Sequence, residues 1–433
     1  MSPFHPSPES ARIQEDLASL SGTTMREALL DSTSVHKLIP EKYHEHLDEL
    51  LDSIRAFCKE FGIPNDALKN TETFGEYLHR IKISPERMKE VLSLFERLNY
   101  LVTNREPFEE KFSEALEYAE RLYHLKEQYD AQLAILEYLK ILDNDGTLPT
   151  IDGNYYPVPT IEQIAQHLFE QRETLETKRE QGFTKLLLVP FGMSLDLLLS
   201  TFKRFLQSYK KDHPTFGRLV ANTPDHSDLD GWEFLDLDEY YKEADFGDSP
   251  KLLYYPKNFH QEKHQAKTKE QILLEQNQDS TTTPGWNVLL LQPSDPSDQN
   301  PKGFALIPRD DQGGNRGEKI WRSDIEAFDY PEKYLCMLHD DARDPHLPCY
   351  GESGMTPEDW ITASITHLME TETPLDDAGN GIESMCYLVG AYFPHKTSVP
   401  RMSWDLGIRS MRLEICGVRN LNSQSGVRFC VIL

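Results

Sequence analysis

The chain has 433 residues and a formal net charge of −27, with 38% hydrophobic and 27% charged residues. This length predicts two or three domains, and the composition is that of a folded protein rather than a disordered one. So much negative charge would repel a duplex phosphate backbone and an anionic lipid surface, so we expect neither nucleic-acid binding nor membrane insertion.

Residues 1–40 begin with a Ser/Pro-rich stretch and predict a flexible N-terminal segment. They lack a basic region followed by an apolar one, so no signal peptide is predicted. The expected location is therefore the cytoplasm, with delivery to the cell surface by another route left open.

Residues 41–145 predict a helical domain. Apolar residues recur at spacings of three and four between Glu41 and Phe61, as on one buried face of a helix, which Gly62 and Pro64 then end. A longer helical run extends from Phe108 to Leu142. Together these patterns indicate a helical bundle, which could also hold the chain in an oligomer.

Residues 146–159 predict a linker, because Asp/Gly turn signals and prolines cluster at this point. From residue 160 the pattern mixes helices with short apolar strands, which is typical of an α+β domain. Thr160, Ser194 and Thr356 are placed to cap its helices. The most apolar window, residues 185–202, is interrupted by Pro190 and Asp196, so it predicts protein core rather than a membrane helix.

One alternative function rests on a cluster of possible metal ligands. The segment "LHDDARDPHLPCY" contains His339, Asp341, Asp344 and His346, and carboxylates with imidazoles suit Zn, Mn or Fe. His260 and His264, four residues apart, could assist. The same residue types also occur in ordinary turns, so the sequence predicts no resident cofactor and keeps a metal-dependent enzyme as an alternative.

The last sixty residues differ from the rest in charge. Residues 374–433 contain six Lys or Arg and five Asp or Glu, while the whole chain carries −27. Alternation predicts a strand through Met411 and Leu413 and another through Val427 and Phe429. We expect these two strands to form a terminal hairpin that packs on the core, with Arg428 on its outer face.

The six cysteines contain no CxxC pair, so thiols in a reducing compartment are expected. A bridge between Cys416 and Cys430 across the terminal hairpin is kept as an alternative.

The order of "YLVGAYFP", "VPRMSWD" and a closing "GVRFCV" resembles the C-terminal part of proteins with a C-type lectin fold. That group includes sulfatase-modifying-factor-like domains and the variable proteins of diversity-generating retroelements. The matching positions are Trp404 and Gly426 to Phe429. More broadly, residues 150–433 resemble a set of proteins from small-genome candidate-phylum bacteria, to which no activity is attached.

The resemblance implies a C-type-lectin-like antiparallel sheet over about residues 374–433, with a fixed scaffold and a variable ligand-facing surface. It implies a scaffold of Trp404, Met411, Leu413, Val427 and Phe429. It implies the following ligand-facing set: Asp405, Leu406, Gly407, Ser410, Arg412, Glu414, Gly417, Arg419 and Asn420. Formylglycine-generating chemistry is disfavoured, because nothing around Cys416 and Cys430 suggests the paired-cysteine copper site that it needs.

Three functions follow as expectations. The first is a non-enzymatic binding protein that recognises a protein or a surface ligand through its C-terminal face. The second is the metal-dependent enzyme, and the third is an interaction protein that acts through the N-terminal helical domain.

Overall fold

The computed structural model describes residues 36, 39–64, 77, 87, 94–95, 97–98, 100–102, 108–213, 233–234, 241–279, 282–295, 301–307, 326–327, 329–376, 385–405, 410–422 and 424–433. Contacts divide the chain into two compact units, residues 1–115 and 116–433. The fold class is α+β, as the sequence predicts, because long helices combine with mixed and antiparallel sheets. None of the helices in these ranges is long and apolar enough to cross a membrane.

The helices are α1 His44–Glu60, α2 Phe108–Tyr123, α3 Leu125–Leu139, α4 Ile161–Glu170, α5 Arg172–Glu180, α6 Leu195–Asp212, α7 Lys269–Gln278, α8 Pro331–Asp341 and α9 Pro357–Thr371. The strands are β1 Thr147–Pro149, β2 Tyr155–Pro157, β3 Lys185–Val189, β4 Glu233–Phe234, β5 Leu253–Tyr254, β6 Asn287–Leu291, β7 Ser353–Gly354, β8 Met385–Tyr387, β9 Ala391–Tyr392, β10 Ser398–Asp405, β11 Ser410–Gly417, β12 Ser425–Val427 and β13 Phe429–Ile432.

The first unit contains α1, whose predicted apolar face is buried. Gly62 ends this helix with a φ of 66°, a conformation that glycine adopts without steric cost. The N–H of Ile63 then donates to the carbonyl of Cys58 at 2.8 Å, and the Ile63 side chain joins the core. The helix therefore ends where the Gly-Ile-Pro signal predicts.

The second unit begins before the predicted linker. The predicted helical run from Phe108 to Leu142 is interrupted at His124, which has a φ of 49° and separates α2 from α3. Residues 146–159 are not an open linker, because β1 and β2 pair within them as an antiparallel hairpin. The division between the units falls inside α2, after Ala115.

Helix α3 covers one edge of a sheet with two buried glutamines. Gln128 accepts from the N–H of Leu186 (2.7 Å) and donates to the carbonyl of Thr184 (3.0 Å). Gln132 accepts from the N–H of Leu188 (3.2 Å). These side chains satisfy backbone groups along β3, an edge strand, where a neighbouring strand would otherwise pair. This contact places α3 in the same unit as the sheet.

Gln128→Leu is expected to lower the free energy of unfolding by about 1–3 kcal/mol, because buried backbone groups at Thr184 and Leu186 lose their partner. Gln207→Leu, the same exchange at an exposed position of α6, is the matched control. Urea unfolding of both variants checks the prediction. Equal midpoints would contradict it.

Two of the sheets in the second unit have four or five strands. One has the strand order β3-β6-β13-β7, and the other has the order β12-β8-β10-β11-β4. Strand β3, which lies in the apolar window predicted as core, is buried at every position, and Ser194 caps α6 by accepting from the N–H of Leu197. Thr160 and Thr356 cap α4 and α9 in full capping boxes. These local predictions are confirmed.

The predicted terminal hairpin is wrong. Strand β11 pairs along its whole length with β10, from Ser398 opposite Gly417 to Asp405 opposite Ser410. Strand β12 joins the same sheet through β8, while β13 pairs with β6 and β7 in the other sheet. The final residues therefore connect the two sheets instead of folding back on β11.

The placement of Arg428 on an outer face is also wrong, because only 7% of it is exposed. All six cysteines are thiols, so Cys416 and Cys430 are not bridged. Cys416 lies on β11 and Cys430 on β13, in different sheets. The five residues assigned to the scaffold are buried: Trp404, Met411, Leu413, Val427 and Phe429.

His367 is a buried neutral histidine near the end of α9. Its Nδ1 accepts from the N–H of Phe304 at 2.9 Å. Burial, reinforced by the nearby charges of Arg428 and Lys185, lowers its pKa to about 3 from an ordinary value of 6.5. Below pH 6.5 this histidine is protonated in the unfolded chain but not in the folded chain. The free energy of unfolding therefore decreases as pH falls below 6.5.

Wild-type protein is expected to lose about 2 kcal/mol through His367 between pH 7 and pH 5. His367→Asn keeps an acceptor near Nδ1 but removes the titration, so its unfolding free energy should fall less over this range. Exposed His395→Asn is the control and should keep the wild-type slope. Urea unfolding at several pH values measures the slopes, and identical slopes for all three proteins would contradict the assignment.

Candidate functional site

The β10–β11 hairpin has one face in the core and one face that is partly open. On the core face, Met402 lies opposite Leu413 and Trp404 lies opposite Met411. The ring of Trp404 meets Phe202 of α6 edge-on, with 6.1 Å between the ring centroids. The alternation of strand side chains therefore turns the next residues on each strand away from the core.

That other face carries a cross-strand charge cluster. Arg401 lies opposite Glu414 and forms an ion pair with it, and Arg412 approaches Glu414 at 4.0 Å. The side chains of Arg412 and Glu414 are 38% and 39% exposed. Two of the predicted ligand-facing residues thus reach solvent, but they already interact with each other and with Arg401.

A larger feature lies where β11 ends. This feature is an open depression of about 460 Å³, lined by Phe259, Glu332, Thr397, Gly417, Val418, Arg419 and Asn420. Gly417, Arg419 and Asn420 belong to the predicted ligand-facing set. The depression therefore brings three of these residues together at one place.

Four hydrogen bonds fix the loop Gly417–Asn420. The N–H of Val418 donates to the carbonyl of Thr397 (3.3 Å), and the N–H of Glu332 donates to the carbonyl of Val418 (2.9 Å). The N–H of Asn420 donates to Gly417 (2.9 Å), while the hydroxyl of Tyr387 donates to the carbonyl of Asn420 (3.1 Å). These bonds connect the loop backbone to the turn before β10, to α8 and to Tyr387 of β8.

An ion pair crosses the depression. Arg419 Nε lies 2.7 Å from Glu332 Oε2, and Arg419 Nη2 lies 3.4 Å from Oε1. The Arg419 side chain is 79% exposed and that of Glu332 is 31% exposed. The Glu332 carboxylate raises the pKa of Arg419, so the guanidinium stays charged. Because this pair is exposed, water or a ligand can compete for it.

The remaining predicted ligand residues lie elsewhere. Asp405 and Ser410 face each other at the opposite end of the hairpin, about 23 Å along the strand from Gly417. Leu406 and Gly407 lie outside the described residues. One continuous surface therefore does not include the whole predicted set, and the end-of-strand loop is the part with a concave site beside it.

Sequence reasoning did not find Glu332, Thr397 or Phe259. They come from α8, from the turn before β10 and from the loop after β5, so no local pattern connects them with Arg419. Glu332 is also an acidic residue of the kind that is common in the first turn of a helix, so its residue type alone does not indicate a site.

The proposed metal ligands are used in local structure. His339 Nε2 donates to the carbonyl of Pro256 at 3.2 Å, and burial lowers its pKa. Asp341 accepts from the N–H of Cys349 at 2.9 Å. These side chains hold the end of α8 and the loop that follows it.

The other candidates are turn residues. Asp344 accepts from the N–H of His346, and His260 and His264 each accept from the backbone N–H two residues further on. Among the residues placed by the structure, no three His, Cys, Asp or Glu side chains converge as metal ligands would. The candidate site is therefore the depression beside the loop Gly417–Asn420.

Comparison of the chain with family models, with curated proteins and with solved structures finds no match. The resemblance to C-type lectin folds accordingly remains a prediction.

Proposed function

We propose that this chain is a non-enzymatic ligand-binding protein whose α+β unit recognises its ligand at the depression beside the loop Gly417–Asn420. One observation carries the proposal: a loop with a hydrogen-bonded backbone presents exposed Arg419 and Asn420 over a concave site of about 460 Å³. A C-type-lectin-like variable surface would be used in this way.

Physical chemistry supports binding at a rigid loop. A ligand that meets an ordered backbone does not have to order it, so less of the interaction free energy is lost on association. The planar guanidinium of Arg419 offers several donors in a fixed geometry, and Asn420 can offer both a donor and an acceptor. Such groups suit polar or anionic partners.

The metal-dependent enzyme is less favoured, because His339 and Asp341 already hold α8 and its following loop. A cytoplasmic location is part of the proposal. The six thiols, five of them buried, would persist in a reducing compartment.

Two screens of the full chain test the proposal, one with a phage-displayed library of random dodecapeptides and one with an array of immobilised oligosaccharides. The variant Arg419→Ala/Asn420→Ala is expected to lose the ligands that the wild type retains. Its unfolding midpoint should be unchanged, because both side chains are exposed. Lys126→Ala, at an exposed position of α3, is the control and should bind as the wild type does.

Two results would overturn the proposal. One is that neither screen yields a ligand. The other is that every ligand binds the double variant as tightly as the wild type.

A further inference from the structure

A second, smaller depression lies beside the first. It has a volume of about 130 Å³ and lies between α8 and the segment Tyr255–Lys257. Its floor includes Gly354 and Gly390, whose backbones approach so closely that a Cβ on Gly390 would lie 2.2 Å from the Gly354 carbonyl oxygen. Two backbone segments that cross this tightly give the depression a rigid base.

The two depressions share a helix. Glu332 of α8 lines the first, and Leu335 and His339 of α8 line the second together with Ala342, the residue that directly follows the helix. The successive spacings of three, four and three residues place all four on one stripe of the helix. That stripe is about 15 Å long, at 1.5 Å per residue. A ligand lying along α8 would therefore meet both depressions.

They also share a loop. Phe259 lines the first depression, and Lys257 lines the second. The N–H of Lys257 donates to the carbonyl of His264 at 2.8 Å, which closes the loop. The ring of Phe259 packs against Tyr392 with 5.0 Å between centroids, and the hydroxyl of Tyr392 donates to the Phe259 carbonyl at 3.0 Å. The segment Lys257–His264 is therefore ordered, as is the loop Gly417–Asn420.

The charge of these walls differs from that of the whole chain. Residues 256–267 contain three lysines and one glutamate, and segments 395–397 and 417–420 add Lys396 and Arg419. The acidic residue of α8 that faces the first depression, Glu332, is paired with Arg419. Lys257, Lys263 and Arg419 are exposed. Lys267 is paired with Glu275, and Glu352, which lines the second depression, is paired with Lys178. The exposed Lys257 and Lys263 therefore make the segment 256–267 basic in a protein of net charge −27, so charge complementarity favours an acidic occupant.

The lining of the second depression favours an apolar group on the ligand. Leu335, Leu338 and Val389 contribute to it, and burial lowers the pKa of His339, which favours its uncharged form. An aliphatic side chain could pack there, while a carboxylate could replace Glu332 at Arg419. From Glu332 to His339 the helix rises about 10 Å, which an extended peptide spans in three to four residues.

We propose that the two depressions form one groove for an extended peptide segment of a partner protein, with an acidic residue at Arg419 and an apolar residue three to four positions away beside His339. This rests on the proposed function and extends it to a ligand class. In an extended segment, pockets for particular side chains supply specificity. The lysines of the wall 256–267 would attract the acidic segment, so binding should weaken as salt rises.

The dodecapeptide library tests the groove. Peptides enriched on the full chain are expected to share an acidic and an apolar residue three to four positions apart. One such peptide, synthesised with a fluorescent label, is then titrated with the variants Arg419→Glu, Lys257→Glu, Ala342→Trp and Lys126→Glu. Ala342→Trp fills the second depression, and Lys126→Glu repeats the charge reversal on α3, which lines neither depression.

The expected result is a dissociation constant raised about tenfold or more by Arg419→Glu and about threefold or more by Lys257→Glu and by Ala342→Trp. Lys126→Glu should stay within about twofold of the wild type. Thermal unfolding checks that each variant is folded.

The contrary outcomes are distinct. If no peptide is enriched while oligosaccharides bind at Arg419, the peptide groove is wrong and the proposed function stands. The same holds if Arg419→Glu weakens the peptide but Lys257→Glu and Ala342→Trp do not. If Arg419→Glu has no effect on any ligand, both proposals fall.

Discussion

Lys269→Met is expected to unfold much of the α+β unit at neutral pH. Lys269 is fully buried, and its Nζ donates to Asp245 Oδ2 (2.5 Å), Glu358 Oε1 (2.8 Å) and the carbonyl of Met193 (2.7 Å). Methionine would leave both carboxylates buried without their counter-charge. Breaking a buried ion pair in this way costs about 3–5 kcal/mol, a large part of the stability of a typical domain.

The pH dependence of the unfolding free energy tests whether the lost charge pair causes the destabilisation of Lys269→Met. In the wild type the two carboxylates raise the pKa of Lys269 above 10.5 despite its burial, so its contribution is fully present below pH 10.5 and is lost only as pH rises through the higher folded value. In Lys269→Met, two acidic side chains would be buried without a counter-charge, and burial disfavours the charged form of such groups. The variant should therefore regain stability as pH falls below neutral.

Urea unfolding at pH 7 and pH 5.5 measures both effects. Lys267→Met is the matched control, because Lys267 lies two residues earlier and forms an exposed ion pair with Glu275. It should change the unfolding midpoint little. If Lys269→Met and Lys267→Met unfolded at the same urea concentration, the buried charge cluster would not be the stabilising element inferred here.

Features set by neighbouring residues could be predicted from the sequence. The caps at Thr160, Ser194 and Thr356 depend on contacts within one helical turn, so their residue types suffice to locate three helix starts. The apolar window at residues 185–202 likewise predicts protein core, and its first part forms the fully buried strand β3.

Strand partners could not be predicted in this way. The alternation in β11 gives its buried face but not its neighbour, and β10 and β13 are equally suitable in pattern. The predicted hairpin pairs β11 with the apolar strand that follows it, whereas its observed partner β10 precedes it. Pairing depends on contacts across the whole sheet, which a local pattern does not contain.

The candidate site was found in part for the same reason. Arg419 and Asn420 lie in a turn-rich polar segment, which predicts exposure. Glu332, 87 positions earlier, meets Arg419 only because α8 begins beside the end of β11. The sequence thus supplied the loop, while the concavity and its charge pair required the fold.

Arg428 shows how far an apparently exposed arginine can be from its predicted role. Its Nη2 lies 2.6 Å from Asp376 Oδ1, and Nη1 donates to the carbonyl of Ala305. Asp376 also accepts from Trp360 Nε1 (2.9 Å), and its carbonyl accepts from the N–H of Trp404 (2.9 Å). One buried ion pair therefore ties α9, β10 and the β12–β13 connection together.

Arg428→Met is expected to cost about 3–5 kcal/mol of unfolding free energy, because Asp376 would remain buried without its ionic partner. The double variant Arg428→Met/Asp376→Asn buries no charge and should recover part of that loss, so the double-mutant cycle separates charge from packing. Arg412→Met, on the half-exposed face of β11, is the control and should have a small effect. Urea unfolding of the four proteins of the cycle measures the coupling; simple additivity would mean that packing, rather than the ion pair, makes Arg428 necessary. With strong coupling, the closing Gly-Val-Arg segment joins the two sheets, and its arginine stabilises that junction through Asp376 instead of lying at the surface.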